Sequence, residues 1–225
     1  MKVRAHKLYA VITGDVIRSS RFVGVHRRKL HDAMTDADKA LRQAFKDDVK
    51  LPVDIFRGDS WQCLVQDPVH GVRVGLFYRA ALKASMDDNE TDTRLAIAVG
   101  QVDFVPEERV SGGDGDAYRL SGQLMETMAH NARMNFGFAG KENTTEIKAI
   151  AVMLCLMDAL ARQWTSRQAN AVCGALRNLS QKEIAETRWP RPITQQAVAQ
   201  HLDRAGWHAI HQGLRFLEET LKQYL

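Results

Sequence analysis

The chain has 225 residues with a net charge of +4, and 45% hydrophobic with 26% charged residues is the composition of a folded globular protein, not a disordered one. Its longest apolar run, residues 149–157, is far shorter than the roughly 20 residues that a membrane-spanning helix needs. Three widely separated cysteines form neither a disulfide framework nor a zinc signature, and the N-terminal apolar stretch is too short for a secretory signal. We therefore expect a cytoplasmic protein of one large or two small domains.

The first part of the chain alternates between β-rich and amphipathic segments. The spacing of apolar residues predicts, in order, a strand, a helix, a two-stranded hairpin, a helix, two strands, a helix and a strand. Their ranges are 7–13, 25–45, 53–56 with 61–65, 69–85, 94–99 with 100–105, 117–129 and 134–138. This order predicts an α+β fold, a ferredoxin-like or palm-type sheet with its helices packed on one face.

The pattern changes near residue 143, after which every periodic segment is helical. Thr144 or Thr145 caps a long helix, Thr165 and Ser180 each open a capping box, and Thr194 caps a helix over residues 195–204. An amphipathic segment over residues 207–225 ends the chain. We therefore predict two domains, 1–143 and 144–225, the second being all-helical.

Two aspartates stand out in the first domain by their positions. Asp15 follows the first predicted strand, and Asp59 lies at the tip of the predicted hairpin. Aspartate at a strand end or hairpin tip is often only a turn residue that binds its own backbone, and that interpretation stays open here. Asp114 and Asp116, in a glycine-rich loop, lack the spacing of a calcium-binding loop and are interpreted as solvated turn residues.

The segment Ser180–Arg204 has the pattern of helix, connection, helix. Its second helix exposes a polar face suited to base edges and phosphates, because glutamine pairs with adenine and arginine with guanine or phosphate. The residues of that face are Gln195, Gln196, Gln200, His201 and Arg204. This resembles the helix-turn-helix of bacterial regulators and predicts DNA binding. The alternative is a small helical bundle that docks on the first domain or on a partner chain.

Several segments together resemble a known family. Residues 8–20 (LYAVITGDVIRSS), the hairpin residues 57–61 (RGDSW) and the helix-turn-helix-like tail resemble the SatD family of bacterial proteins. The first 140 residues also resemble, more distantly, the catalytic domain of class III nucleotidyl cyclases. The matching blocks, in order, are residues 15–20 (DVIRSS), Gly58 with Asp59, residues 94–102 (RLAIAVGQV) and residues 115–124 (GDAYRLSGQL).

The resemblance implies a metal and phosphate site. Asp15 and Asp59 would hold Mg²⁺ or Mn²⁺, since one or two carboxylates with substrate phosphates are the usual ligands of Mg²⁺. Backbone N–H groups of the following loop would face the phosphates. The residues of that loop are Val16, Ile17, Arg18, Ser19 and Ser20. Cyclase-like domains place their sites at a dimer interface, so the resemblance also implies a homodimer, which would suit a palindromic DNA site.

The sequence departs from the cyclase pattern at three positions. The asparagine and arginine that support the transition state in cyclases correspond to Arg119 and Gln123 here, and the base-reading lysine corresponds to Ile55. Arg119 is the candidate to replace the missing arginine from a shifted position. Because electrostatic stabilisation is usually the largest catalytic contribution, the resemblance favours nucleotide or phosphate binding over cyclisation.

Three hypotheses follow. The first is a cytoplasmic two-domain regulator that binds a nucleotide or phosphate with a divalent metal and binds DNA through its tail. The second is an active metal-dependent enzyme acting on nucleoside triphosphates, whose tail is a docking domain. The third is a structural or interaction protein that binds no ligand.

Overall fold

The computed structural model describes residues 3–4, 6–86, 88, 90–107, 109–141 and 144–225. Within them the chain has a mixed α+β architecture of one five-stranded sheet and eight α-helices. The strands are β1 (Leu8–Val16), β2 (Asp54–Phe56), β3 (Ser60–Val65), β4 (Thr93–Gln101) and β5 (Met134–Phe138). The helices are α1 (Val25–Ala44), α2 (Gly71–Ser85), α3 (Asp116–Glu126), α4 (Thr145–Ala161), α5 (Ser166–Leu176), α6 (Gln181–Thr187), α7 (Gln195–Arg204) and α8 (Trp207–Lys222).

Strand β1 is the centre of the sheet. The strand order is β2-β3-β1-β4-β5, in which β1 runs antiparallel to β3 and β4, and β5 runs parallel to β4. Four successive residues of β1, 9–12, are at most 1% exposed, because both faces of this strand are covered. A continuous apolar run is the signature of such a strand, and here it fixes β1 between two layers of side chains.

Helices cover both faces of the sheet, which corrects the prediction that they pack on one face. Helix α2 approaches one face so closely that a Cβ at Gly71 would meet Ala10 and Ile97. Helix α3 lies on the other face, where the Ser121 and Thr13 hydroxyls are 2.8 Å apart. Each β-strand alternates its side chains between faces, so both layers draw on the same strands.

The predicted elements of the first part agree with the structure except at β4. The predicted strands over 94–99 and 100–105 are one strand that ends at Gln101, and Phe104 makes only an isolated bridge with Asp114. The chain bends away because Gly115, at φ +140°, brings the loop against the Gln101 carbonyl, where a Cβ would lie 2.6 Å from the oxygen. Only glycine adopts that conformation readily.

The second part is helical, as predicted, and its helix starts lie where the capping residues place them. The side chains of Thr144, Thr165, Ser180 and Thr194 each accept a hydrogen bond from the backbone of the first turn of α4, α5, α6 and α7. These bonds satisfy N–H groups that a helix start leaves without a partner. The predicted domain boundary at residue 143 lies outside the described residues, and the division into 1–143 and 144–225 stays a prediction.

One buried apolar cluster extends from the sheet into the helical part. It joins residues of β1, α2 and β5 to residues of α4, α5 and α8. Two buried ion pairs cross between the same parts. Arg73 on α2 pairs with Glu218 on α8 at 2.6 Å, and Arg79 on α2 pairs with Asp158 on α4 at 2.7 Å. No helix among the described residues has the length and apolarity to cross a membrane.

Candidate functional site

The two predicted metal-binding aspartates lie on neighbouring strands. Asp15 lies near the end of β1, opposite Ser60 in the antiparallel ladder with β3, and Asp59 immediately precedes β3. The β2–β3 turn that positions Asp59 has Arg57 at φ 53° and Gly58 at φ 86°, two successive left-handed residues. The Val16 N–H donates to the Asp59 carbonyl at 3.1 Å and ties this turn to β1. The sheet register thus brings together two residues that are 44 positions apart in the sequence.

These residues line a cavity of about 510 Å³, called here the aspartate cavity. All seven residues predicted to bind metal or phosphate are among its lining residues, namely Asp15, Val16, Ile17, Arg18, Ser19, Ser20 and Asp59. The remaining lining residues were not predicted from the sequence, and they are Arg94, His130, Ala132 and Arg133. The lining of the cavity is therefore polar and includes carboxylate, hydroxyl and guanidinium groups.

Asp15 is bound by Arg94. The Arg94 Nε and Nη2 donate to the two carboxylate oxygens of Asp15 at 2.9 and 2.5 Å. This bidentate bond raises the pKa of Arg94 above its ordinary value. Arg94 lies directly opposite Asp15 in the β1–β4 ladder, and finding this pair required the strand register, which the sequence alone did not provide.

Asp59 is bound by the loop that follows β1. The Ser19 hydroxyl donates to Asp59 Oδ2, and the Arg27 Nη1 donates to the Ser19 carbonyl at 3.2 Å. The loop forms a 3₁₀ turn over Ser19–Arg21 that begins after Arg18, a left-handed residue at φ 53°. The loop is therefore held at the cavity by side chains of the turn and of α1.

Two of the five predicted phosphate-binding N–H groups are already used. Val16 donates to the Asp59 carbonyl and Ile17 to the Asp92 carbonyl, at 3.1 and 2.9 Å, because the β1 backbone continues its pairing past the strand end. This corrects the expectation that the whole loop offers its amides to a ligand. The N–H groups of Arg18, Ser19 and Ser20 stay the predicted phosphate donors of the loop.

The oxygen donors of the cavity suit a hard divalent cation. Asp15 and Asp59 offer carboxylate oxygens and Ser19 a hydroxyl, which are the ligand types of Mg²⁺ and Mn²⁺. Arg94 donates to both oxygens of Asp15, so a cation at Asp15 has to share this carboxylate with the guanidinium or replace one of its bonds. The residues fit the implied metal on that condition.

Arg119, the candidate catalytic residue, is not among the residues that line the aspartate cavity. Its guanidinium pairs with Asp114 at 2.7 Å, Asp116 at 3.0 Å and Asp103 at 3.6 Å, beside the glycine-rich loop. It lies on α3, and its side chain is 53% exposed. These ion pairs with nearby aspartates hold Arg119 at the glycine-rich loop, and its role as a catalytic residue stays a prediction.

The predicted DNA-reading residues lie on α7. Gln195, Gln196, Gln200 and Arg204 are exposed. His201 is half-buried and stacks on Trp189 with the ring centres 6.1 Å apart. Burial, with Arg167 and Arg204 nearby, lowers the pKa of His201. Four of the five predicted residues thus share an open surface, while His201 packs against the connection before α7.

The connection between α6 and α7 is held in place by neighbouring helices. The Ile193 N–H donates to the Ala185 carbonyl at 3.1 Å, and Asn170 on α5 exchanges hydrogen bonds with the carbonyl and guanidinium of Arg188. These hydrogen bonds therefore hold the connection against α5 and α6. The relative placement of α6 and α7 does not depend on a glycine turn.

A separate group of possible metal ligands lies away from the aspartate cavity. Atoms of Asp48, Asp67 and His70 all lie within 4.8 Å of one another. The Asp48 carboxylate and the His70 Nδ1 are 3.0 Å apart, which raises the pKa of His70. The sequence analysis did not single out this group, because Asp48 lies about twenty residues from the turn that carries Asp67 and His70, and only the fold brings them together.

The comparisons with known proteins assign no family to the chain. No protein-family model matches the chain. No curated protein matches it either. Among solved structures, a crystal structure of the guanylyl cyclase Cya2 is similar, with a TM-score of 0.39 and 14% sequence identity over 53% of this chain and 70% of that chain. A likeness at this level decides neither the fold family nor the activity.

Proposed function

We propose that the chain is a two-part regulator, in which the aspartate cavity binds a nucleotide or another phosphate ligand together with Mg²⁺ or Mn²⁺ and α7 binds DNA. The observation that carries the ligand half is that residues 15–20 and Asp59, chosen from the sequence for metal and phosphate, line a single cavity. The order of the first four strands, β2-β3-β1-β4, supports a ferredoxin-like arrangement behind this cavity. The proposal places the protein in the cytoplasm as a homodimer.

The metal half of the proposal assigns a role to each group at the cavity. Asp15 and Asp59 would hold the divalent ion, and that ion would neutralise phosphate charge. Arg94, once replaced at Asp15, would be free to bind a phosphate oxygen from the same wall. The metal ion would thus take the place of the Arg94 guanidinium at Asp15, and Arg94 would bind the phosphate that accompanies the metal ion.

The DNA half depends on the exposed face of α7. Gln195, Gln196, Gln200 and Arg204 form a polar surface at the start and outer side of the helix. Base contacts specify a sequence and arginine contacts to phosphate add affinity that falls with salt. His201 contributes less to this surface than the sequence predicted, since it stacks on Trp189.

The first experiment is calorimetric titration of ATP and of GTP, each with Mn²⁺, into wild-type protein and the Asp59→Asn variant. We expect binding in the wild type and a loss of about tenfold or more in Asp59→Asn, because a metal-bound carboxylate oxygen becomes a neutral amide. The matched control is Asp47→Asn, an aspartate with 84% exposed side chain outside the cavity. Equal affinity in Asp59→Asn and Asp47→Asn would refute the ligand half.

The DNA half is tested by titrating the full chain with random-sequence duplex DNA at several salt concentrations. We expect salt-sensitive binding that Arg204→Gln weakens with a smaller salt slope, since one phosphate contact is lost. Arg215→Gln on α8 is the control of equal charge change. An absence of salt-sensitive binding in the wild type would refute this half.

The alternative function is a metal-dependent enzyme acting on nucleoside triphosphates. The observation in its favour is that three guanidinium groups, those of Arg18, Arg94 and Arg133, line the aspartate cavity although Arg119 does not. Such groups can stabilise charge that develops on phosphate oxygens. Analysis of the nucleotide after each titration separates the two functions, since the enzyme converts it and the regulator returns it unchanged. Turnover that Asp59→Asn leaves intact would refute the enzyme.

The remaining hypothesis, a structural or interaction protein, predicts a different result in the same assays. Alanine at Asp15 and at Asp59 would then change neither ligand binding nor DNA binding. Wild-type protein would show no heat with either nucleotide.

A further inference from the structure

A second, smaller pocket of about 300 Å³ adjoins the aspartate cavity, and we call it the basic pocket. The two share Ile17, Arg18 and Arg133 as lining residues. The charged residues that line the basic pocket are Arg18, Arg21, Lys83, Arg133, Arg162 and Glu90. Arg162 comes from the end of α4, so this pocket draws on both parts of the chain, whereas the aspartate cavity does not.

The carboxylates around the basic pocket do not balance its cations. Glu90 and Asp88 pair with Arg21 at 2.5 and 3.3 Å, which occupies them on the outer side. The buried Asp92 and Asp158 lie beneath the pocket and are shared among Arg79, Lys83, Arg133 and Arg162. Counted over the described residues, the five cations of the pocket lining and the buried Arg79 beneath it make six cationic groups, against these four carboxylates. The local excess is two positive charges.

Lys83 is the least exposed cation that lines the basic pocket. Its side chain is 2% exposed and its ammonium lies 3.5 Å from the Asp92 carboxylate. The pKa of Lys83 is nevertheless lowered, by burial first and then by Arg79 and Arg133, although Asp92 acts in the opposite direction. Burial is thus the main cause of the lowered pKa, and the Asp92 carboxylate compensates for it only in part.

Arg18 is a cation of the pocket that no carboxylate of the described residues binds. Its side chain makes no ion pair or hydrogen bond with another part of the chain that the structure describes. It is a left-handed residue at φ 53°, a conformation that is uncommon for residues other than glycine. Arg18 lies at the boundary of the two cavities and can reach an anion in either.

We propose that the basic pocket binds a phosphate dianion, either free phosphate or the outermost phosphoryl group of a ligand seated in the aspartate cavity. A dianion matches the local excess of two charges, and guanidinium groups bind phosphate oxygens through paired N–H donors. The pocket is small, polar and bordered by three guanidinium groups besides Arg21. For free phosphate this proposal needs neither a divalent ion nor a nucleotide, whereas for the outermost phosphoryl group of a larger ligand it rests on the proposed function.

Arg162 is the residue that tests the proposal with least damage to the fold. Its side chain is 35% exposed, its contact with Asp158 is long, at 3.8 Å, and its other bond, from Nη1 to the Asn131 carbonyl at 2.8 Å, is exposed. Asp158 keeps the Arg79 guanidinium at 2.7 Å and the Arg133 N–H at 3.0 Å when Arg162 is replaced. Arg162→Gln therefore removes a pocket cation without leaving a buried carboxylate bare.

The experiment is calorimetric titration of inorganic phosphate into the full chain without divalent metal, in a chloride buffer. We expect wild-type protein to bind phosphate in the low millimolar range or tighter, and Arg162→Gln to bind about tenfold more weakly. Arg215→Gln, with the same charge change on α8, is expected to bind like the wild type. Urea unfolding of each variant establishes that it is folded, and Arg18→Gln provides a second variant with the same expected loss.

A second titration separates the two sources of the phosphate group. If ATP with Mn²⁺ displaces phosphate and Arg162→Gln weakens both, the pocket takes the outermost phosphoryl group of the larger ligand. If both bind at once, the pocket takes free phosphate. The proposal is overturned if wild-type protein binds no phosphate, or if Arg162→Gln and Arg18→Gln bind it like Arg215→Gln. Asp59→Asn is expected to keep phosphate binding, so the failure of the proposed function remains distinguishable.

Discussion

Arg79 is the most deeply buried charge in the described part of the chain, and its removal gives a sharp test of the structure. Its side chain is 0% exposed, and it donates to Asp92 at 2.7 and 2.9 Å and to Asp158 at 2.7 Å. The carboxylates are 1% and 2% exposed. Replacing Arg79 with methionine keeps the apolar stem and leaves two buried carboxylates with fewer partners.

The expected loss follows from what those carboxylates retain. Removing one partner of a buried ion pair costs about 3–5 kcal/mol. Asp92 keeps Arg133 at 2.5 Å, and Asp158 keeps the Arg133 N–H at 3.0 Å, which places Arg79→Met at the lower end, about 3 kcal/mol. For a chain of this size that corresponds to a fall in Tm of roughly 6–12 °C.

Urea unfolding followed by circular dichroism measures this loss. Arg215→Gln is the control, because the Arg215–Glu219 pair is exposed and 3.6 Å apart, and its removal should change stability by no more than about 0.5 kcal/mol. Asp158→Asn added to Arg79→Met should recover part of the loss, since it removes a charge left without its partner. A loss below about 1 kcal/mol in Arg79→Met, or further destabilisation by Asp158→Asn, would refute the reasoning.

Two further substitutions test the packing at the site and the pH dependence of stability. Gly14→Ala is expected to lower the free energy of unfolding by about 1–3 kcal/mol in urea, because the new Cβ would overlap the buried Trp61 ring and lie 2.7 Å from the Arg94 carbonyl; an unchanged urea midpoint would contradict this. His70 has a raised folded pKa from its bond to Asp48, so its stabilisation is present below its ordinary pKa of 6.5 and disappears as the pH rises through the folded value. His70→Gln should therefore cost more stability near about pH 6 than near about pH 9 in paired urea titrations, and an equal cost at both would count against the pair.

Local signals in the sequence predicted most elements of the fold. The capping residues Thr165 and Ser180 predicted the starts of α5 and α6, because a cap and its N3 partner are only three residues apart. The predicted strand over residues 134–138 coincides with β5 for a similar reason, since its large apolar residues recur at every second position, the period of a strand. Such signals need no information from distant parts of the chain.

The sequence could not predict the features that depend on tertiary placement. The face on which α3 packs follows from small residues of the sheet and from the Thr13–Ser121 contact, which joins residues 108 positions apart. Arg133 reaches the aspartate cavity because β5 pairs beside β4, a parallel pairing that periodicity alone does not specify. Arg119 is the reverse case, in which local contacts and not distant ones decide the position. Three nearby aspartates hold its guanidinium away from the lining of the aspartate cavity.

The candidate site shows the same contrast between features with a local sequence signal and features that depend on tertiary placement. Asp15 and Asp59 stood out because they lie at a strand end and a hairpin tip, and the loop between β1 and α1 was identified by its resemblance to nucleotidyl cyclases. Their partner Arg94 was not, because an arginine inside a strand gives no local sign of its cross-strand neighbour. The sequence thus predicted the anionic half of the cavity and missed most of its cationic half.

The apolar cluster that runs from the sheet into α4, α5 and α8 determines how the protein can be divided for experiments. A fragment ending near residue 143 would carry α2 without α5 and expose to water side chains that are buried in the whole chain. Arg73 and Arg79 would likewise lose their acidic partners on α8 and α4. Such a fragment is expected to aggregate when produced alone. Assays of nucleotide and of DNA binding should therefore use the undivided chain, with each half silenced by substitution and not by truncation.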